Sequence, residues 1–103
     1  MSKEIVKNEW SVIVQHEELL ELRWFASTTN MKDAGFMATL CLFVWEAEKA
    51  RRRGALIDAA EFRHKFGPGV MEWRDAHIIP RYGAAGVRKF LSRDEAIRWL
   101  TAR

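Results

Sequence analysis

Apolar residues recur along this chain at two different spacings, and the alternation between them restricts it to a layered α/β fold. Trp10, Val12 and Val14 alternate with Ser11, Ile13 and Gln15, which is strand periodicity. His16-Glu17-Glu18 is a polar break. Leu20, Leu22 and Trp24 then alternate with Glu21 and Arg23, so Leu19 to Phe25 reads as a second strand, paired with the first in an antiparallel hairpin. From Met31 the spacing becomes helical. Ser27-Thr28-Thr29-Asn30 offers N-cap side chains, and Asp33 suits the positive end of the helix. Met37, Leu40, Cys41, Val44 and Trp45 form the expected buried face, with Lys32, Glu46, Lys49 and Arg52 mostly opposite and Gly54 just past the end.

Ala55-Leu56-Ile57, closed by Asp58, reads as a short buried strand. Ala59 to Phe66 is irregular. Gly67-Pro68-Gly69 opens a second helix with Val70, Trp73, Ala76 and His77 on one face, which Pro80 kinks or ends. Gly86 to Leu91 reads as a further strand. Ser92-Arg93-Asp94-Glu95 is a capping box for a last helix with Ala96, Ile97, Trp99 and Leu100 turned inward. The predicted order is β-β-α-β-α-β-α, a mixed and mainly parallel sheet with packed helices, in one domain over residues 1–103.

Composition narrows the function. Five Trp and six Phe among 103 residues can supply a core without a metal or disulfide. Cys41 is the single cysteine, and His16, His64 and His77 lack metal-ligand spacing, so neither metal nor cofactor is expected. The charge of +3 is a mild excess and does not argue for specific nucleic-acid binding. No apolar run is long enough for a membrane span, and Met1-Ser2-Lys3-Glu4 does not begin a signal peptide. A reducing compartment, the cytoplasm, is the expectation.

Several strings carry a family resemblance. They are Leu56-Ile57-Asp58, Trp73 through Ile79-Pro80-Arg81-Tyr82, Val87-Arg88-Lys89-Phe90, and the closing Ser92-Arg93-Asp94-Glu95-Ala96-Ile97-Arg98-Trp99-Leu100. With the element order, they make the chain resemble the SpoIIAA-like branch of the STAS superfamily, the fold of anti-sigma-factor antagonists. The resemblance implies a bacterial regulatory domain. Members that work by phosphorylation carry a Ser at the helix after the third strand. Here no Ser or Thr lies between Asp58 and Gly83, so no phosphorylation site carries over. The family also has a longer stretch before the last helix. Strand-to-helix connections usually take ~2–6 residues. The junction at Phe90-Leu91-Ser92 therefore predicts either that residues are missing between Arg88 and Ser92, the favoured reading, or that the strand ends near Lys89. An intact mass above 12.0 kDa would show the former.

No nucleophile falls near Asp58, His64 or His77, so no catalytic residue is assigned. Asp58, Gly67, Gly69 and His77 are the candidate ligand residues, because ligands of open α/β sheets gather beyond the strand ends and helix N-termini favour anions. Arg51-Arg52-Arg53 reads as a complement to a helix C-terminus rather than a phosphate patch. Phe36, Met37, Phe43 and Trp45 exceed what one helix face needs, and read either as a wide core stripe or as the lining of a pocket or subunit interface. The leading expectation is a non-enzymatic module that docks a protein partner, or a second copy of itself, through a helix face. The alternative is a carrier or sensor of a small apolar or anionic ligand held between helices and sheet. Trp45→Ala and Trp73→Ala are each expected to cost about 3–5 kcal/mol if both residues face the sheet.

Overall fold

The first strand is one that alternation does not mark. In the computed structural model, which describes residues 2–50 and 52–101, β1 (Lys3–Lys7) runs antiparallel to β2 (Ser11–Gln15) with a register shift between Glu4 and Val6. The shift breaks the period-two pattern, which hides the strand from periodicity. Lys3 and Lys7 are exposed on this edge strand, where charge discourages further pairing. The Asn8 carboxamide shapes the turn by accepting hydrogen bonds from the Trp10 and Ser11 amides at 2.8 and 2.9 Å.

β3 (Leu19–Trp24) pairs antiparallel with β2, as the hairpin reading expects. A 3-10 turn (Ala26–Asn30) then precedes α1 (Asp33–Ala50), so the Ser/Thr run shapes the approach to the helix. β4 (Gly54–Asp58) lies parallel beside β3, and β5 (Arg88–Phe90) parallel beside β4. The sheet order is β1-β2-β3-β4-β5. The sheet is mixed, with two antiparallel and two parallel pairings, so the expectation of a mainly parallel sheet is corrected by the extra strand.

α2 (Val70–His77) and α3 (Ile79–Ala84) are separated at Ile78, with Pro80 in the first turn of α3, which is the break expected there. Gly69 caps α2 at φ +81°, a conformation that costs an L side chain energy. Nothing lies within 4 Å of where a Cβ would stand, so backbone strain is the whole penalty. Gly69→Ala should therefore lower stability by about 1 kcal/mol, read as a shifted urea midpoint with unchanged m-value. The chain passes from β5 to α4 (Arg93–Thr101) through Leu91 and Ser92 alone, and the Ser92 hydroxyl accepts the Glu95 amide at 3.3 Å.

Strand alternation sorts the core onto two faces. Leu20, Leu22, Trp24 and Ala55 meet α1, α2 and α3 on one. Leu19, Leu56 and Phe90 meet Ala96, Trp99 and Leu100 of α4 on the other. α1 is turned from the expected face. It buries Phe36, Leu40, Phe43, Val44 and Ala47, while Trp45 is 51% exposed and Cys41 lies at the surface. The face built on Phe36 and Phe43 keeps two phenyl rings and the small Ala47 against the sheet. Its polar members are satisfied locally: Thr39 donates to the Gly35 carbonyl at 2.8 Å, and Glu46 pairs with Lys49 at 3.3 Å. Trp45 instead lies under the Lys49 ammonium, 4.1 Å from the ring centre. The large expected cost of Trp45→Ala is withdrawn accordingly.

Candidate functional site

The irregular segment between β4 and α2 is aromatic, and its fastening builds a pocket. Asp58 accepts the Ala60 amide at 3.1 Å and turns the chain off the sheet. The buried Thr28 hydroxyl accepts the Arg63 amide at 2.8 Å while donating to the Phe25 carbonyl. His64 Nε2 stands 2.7 Å from Asp33 Oδ1, and the Gly67 amide donates to the same carboxylate. The loop is thereby tied to the 3-10 turn at Arg63 and to the start of α1 at His64 and Gly67. These ties set Phe62 and Phe66 against Trp24 and Phe36. Phe66 stands edge-on to Phe36 at 4.6 Å, Phe62 edge-on to Trp24 at 5.1 Å, and Phe62 stacks on Phe66 at 5.5 Å. Such pairs add ~0.5–1.5 kcal/mol each beyond area burial.

Under this loop, between the sheet, α1 and the α2–α3 corner, lies a cavity of about 260 Å³. Its walls are Trp24, Phe36, Leu40, Ile57, Phe62, Phe66, Ile78, Ile79 and Tyr82, with Ala59, Leu91, Arg74 and Lys89 completing the lining. Phe66 and Leu91 are 39% and 63% exposed. Arg74 is hydrogen-bonded to Asp75 at 2.9 and 3.1 Å. Lys89 is half-buried on β5, and among the described residues it makes no ion pair or hydrogen bond. Burial, then repulsion from Arg74, pushes its ammonium below the usual lysine range, and Asp75 offsets this in part.

The opposite face carries a polar network. Glu21 is fully buried, with Oε1 2.7 Å from His16 Nε2. Its Oε2 accepts from Arg23 at 3.2 Å and from Arg93, whose guanidinium also reaches Asp58 at 3.1 Å. Arg93 thus pins the start of α4 to two strands. Burial opposes ionisation of Glu21, but the hydrogen bonds from His16 and Arg23 and the charge of Arg93 outweigh it and hold the carboxyl below its ordinary value. Asp58 is also lowered: burial opposes this, and the Ala60 amide and Arg93 overcome it. Ser2 Oγ lies 2.7 Å from His16 Nδ1. Ser, His and Glu are the residue types of a nucleophilic triad, but Ser2 is exposed beside the edge strand and does not line the 460 Å³ groove next to His16. The network's evident work is to fasten α4.

A carboxyl with a depressed folded pKa stays ionised while the unfolded chain takes up protons, so its contribution is present above the ordinary pKa and lost as pH falls through the folded one. Stability should fall as pH drops below about 4. Urea midpoints at pH 7, 4 and 3 check this, and the Glu21→Gln variant should show a flatter fall.

The four candidate ligand residues are not brought together. Asp58 belongs to the α4 face and is paired with Arg93. The Gly67 amide is occupied by the Asp33 carboxylate, so the chain supplies its own anion there. Gly69 is exposed at the helix cap. His77 is exposed beside Trp73 at 6.4 Å, because α2 turns Val70 and the following Ile78 inward instead. Of the α1 set, Phe36 lines the pocket, Phe43 is core against Tyr82 at 6.3 Å, Met37 is half-buried and Trp45 is outside. Arg51 lies outside the described residues; Arg53 pairs with Glu18 at 3.6 Å and covers Trp99. Sequence reasoning passed over Phe62, Phe66 and Arg74, and weighed Lys89 only as one member of a basic patch with Arg51–Arg53, Arg63, Lys65 and Arg88. The signal was there in two phenylalanines one helical turn apart in a segment with no helical pattern.

Among the described residues, no group of three His, Cys, Asp or Glu could hold a metal, and no helix is long and apolar enough to cross a membrane. Comparison with protein-family models, with curated proteins and with solved structures finds no match to this chain.

Proposed function

We propose that this domain is a non-enzymatic binding module whose ligand is a small apolar molecule held between α1, the Phe62–Phe66 loop and the sheet. The observation that carries the reading is the 260 Å³ cavity walled by five aromatic side chains, with Phe66 and Leu91 exposed at its edge. At ~30 Å³ per liquid water, this is the volume of about nine waters, or a ligand of about ten non-hydrogen atoms. Concave apolar space with few polar groups is the usual character of ligand sites. Docking a protein through α1 has less support, because the core takes Phe36 and Phe43 and leaves Trp45 as the one large exposed ring on that helix. The SpoIIAA-like affiliation and a cytoplasmic regulatory role stay part of the proposal; the support is Leu56-Ile57-Asp58 ending β4 and Arg93–Thr101 forming a capped final helix.

Hydrocinnamyl alcohol, a neutral aromatic probe of matching size, tests the reading by amide NMR. Titration should shift the amides of Phe36, Phe62 and Phe66. Ala59→Trp, placed at an exposed lining position, should weaken binding at least about tenfold by filling the pocket. Absence of shifts, or shifts confined to the groove between Leu19 and Leu100, would overturn it.

A further inference from the structure

We infer that the ligand of the aromatic pocket is an amphipathic monocarboxylate, its apolar body among Trp24, Phe36 and Phe66 and its carboxylate on Lys89 and Arg74. The inference rests on the binding reading above and specifies the chemistry of the same site. Three observations carry it. Lys89 sits on a pocket that is otherwise almost wholly apolar, and the register Ala55↔Lys89 places it on the same face of the sheet as the core under α1. It is half-buried and has no ion-pair partner among the described residues, whereas the half-buried Glu48 is paired with Arg81. The second cation, Arg74, lines the same cavity.

An unpaired ammonium against apolar walls is costly unless an anion joins it. An inward-pointing lysine also protects an edge strand, but that role needs no neighbouring arginine and no cavity. Asp75 takes up part of the Arg74 charge, which leaves about one positive charge for the ligand. That matches a carboxylate and disfavours a phosphate dianion, which Asp75 would repel. The cavity volume suits a single ring with a short chain, or a medium-length alkyl chain.

The test compares hydrocinnamate with hydrocinnamyl alcohol by calorimetry on the full chain at pH 7. The acid should bind about tenfold more tightly than the alcohol, the gain expected of a charge-assisted contact. Raising salt should shrink that ratio. Lys89→Gln should bring the two within about twofold of each other, chiefly by weakening the acid. Asp75→Asn, at an exposed position, should free the Arg74 guanidinium and strengthen acid binding about threefold. Equal binding of acid and alcohol to the unaltered protein would overturn the carboxylate assignment and leave the pocket reading standing. Binding of neither would overturn both.

Discussion

Phe43→Ala should lower folding stability by about 3–5 kcal/mol, the usual cost of removing a fully buried ring. Phe43 has no exposed surface, packs at the centre of the larger core and meets Tyr82 across the α1–α3 contact. Each kcal/mol shifts the melting temperature of a domain this size by ~4–8 °C, so thermal unfolding should come more than about 12 °C earlier. Trp45→Ala on the same helix should change stability by less than about 0.5 kcal/mol, since half of that side chain is in water and its neighbour is a lysine. The pair of variants reads the rotation of α1 directly. Equal losses, or the reverse order, would show the helix seated on its other face.

Glu21→Ala should be the second large loss, about 2–4 kcal/mol. The carboxylate is buried, so truncation leaves a cavity and releases His16, Arg23 and Arg93 together. The figure lies below the full cost of stranding a buried charge because Arg23 and Arg93 are each nearly half exposed and can be rehydrated. Glu21→Leu should recover most of it, since an apolar residue of similar size replaces the ion pairs without leaving a void. Urea denaturation of both variants separates the contributions. If the leucine variant is as unstable as the alanine variant, the network stabilises the fold through its charges rather than by filling space.

What the sequence shows of this fold depends on whether one physical signal acts alone. β2, β3 and β4 carry plain strand patterns and stand where expected, and the capping box at Ser92 opens the last helix as read. Pro80 marks a real break between α2 and α3. β1 escapes because its bulge removes the alternation and its lysines resemble a solvated tail. The face of α1 escapes because apolar residues run from Phe36 to Trp45 almost all round the helix, so two stripes compete and only the sheet decides between them. Ile97, expected inward, is half exposed because α4 covers only the β4–β5 end of its face.

The candidate site was less legible for a related reason. Phe36 is identifiable as surplus apolar bulk on a helix. The other pocket residues come from a loop, two helices and an edge strand, and no local pattern joins them. Lys89 looks like any basic residue in a strand until the register with Ala55 shows which side it faces. Glu21 alternates with Leu20 and Leu22 as a solvent-facing residue would, and only the arrival of Arg93 from a distant helix gives its buried charge partners.

The sheet order also bears on how the molecule assembles. Every pairing joins strands that are consecutive along the chain, so no strand has to be inserted between two already placed. The two hairpin turns close over short spans, and each parallel strand is then added at the growing edge once its connecting helices can fold back. The two antiparallel pairings are local and the two parallel ones long-range, which places the domain among the mixed α/β chains of intermediate folding rate. β5 and α4, which depend on the β4 edge and on Glu21 being in place, are the last pieces such a sequence of events can add.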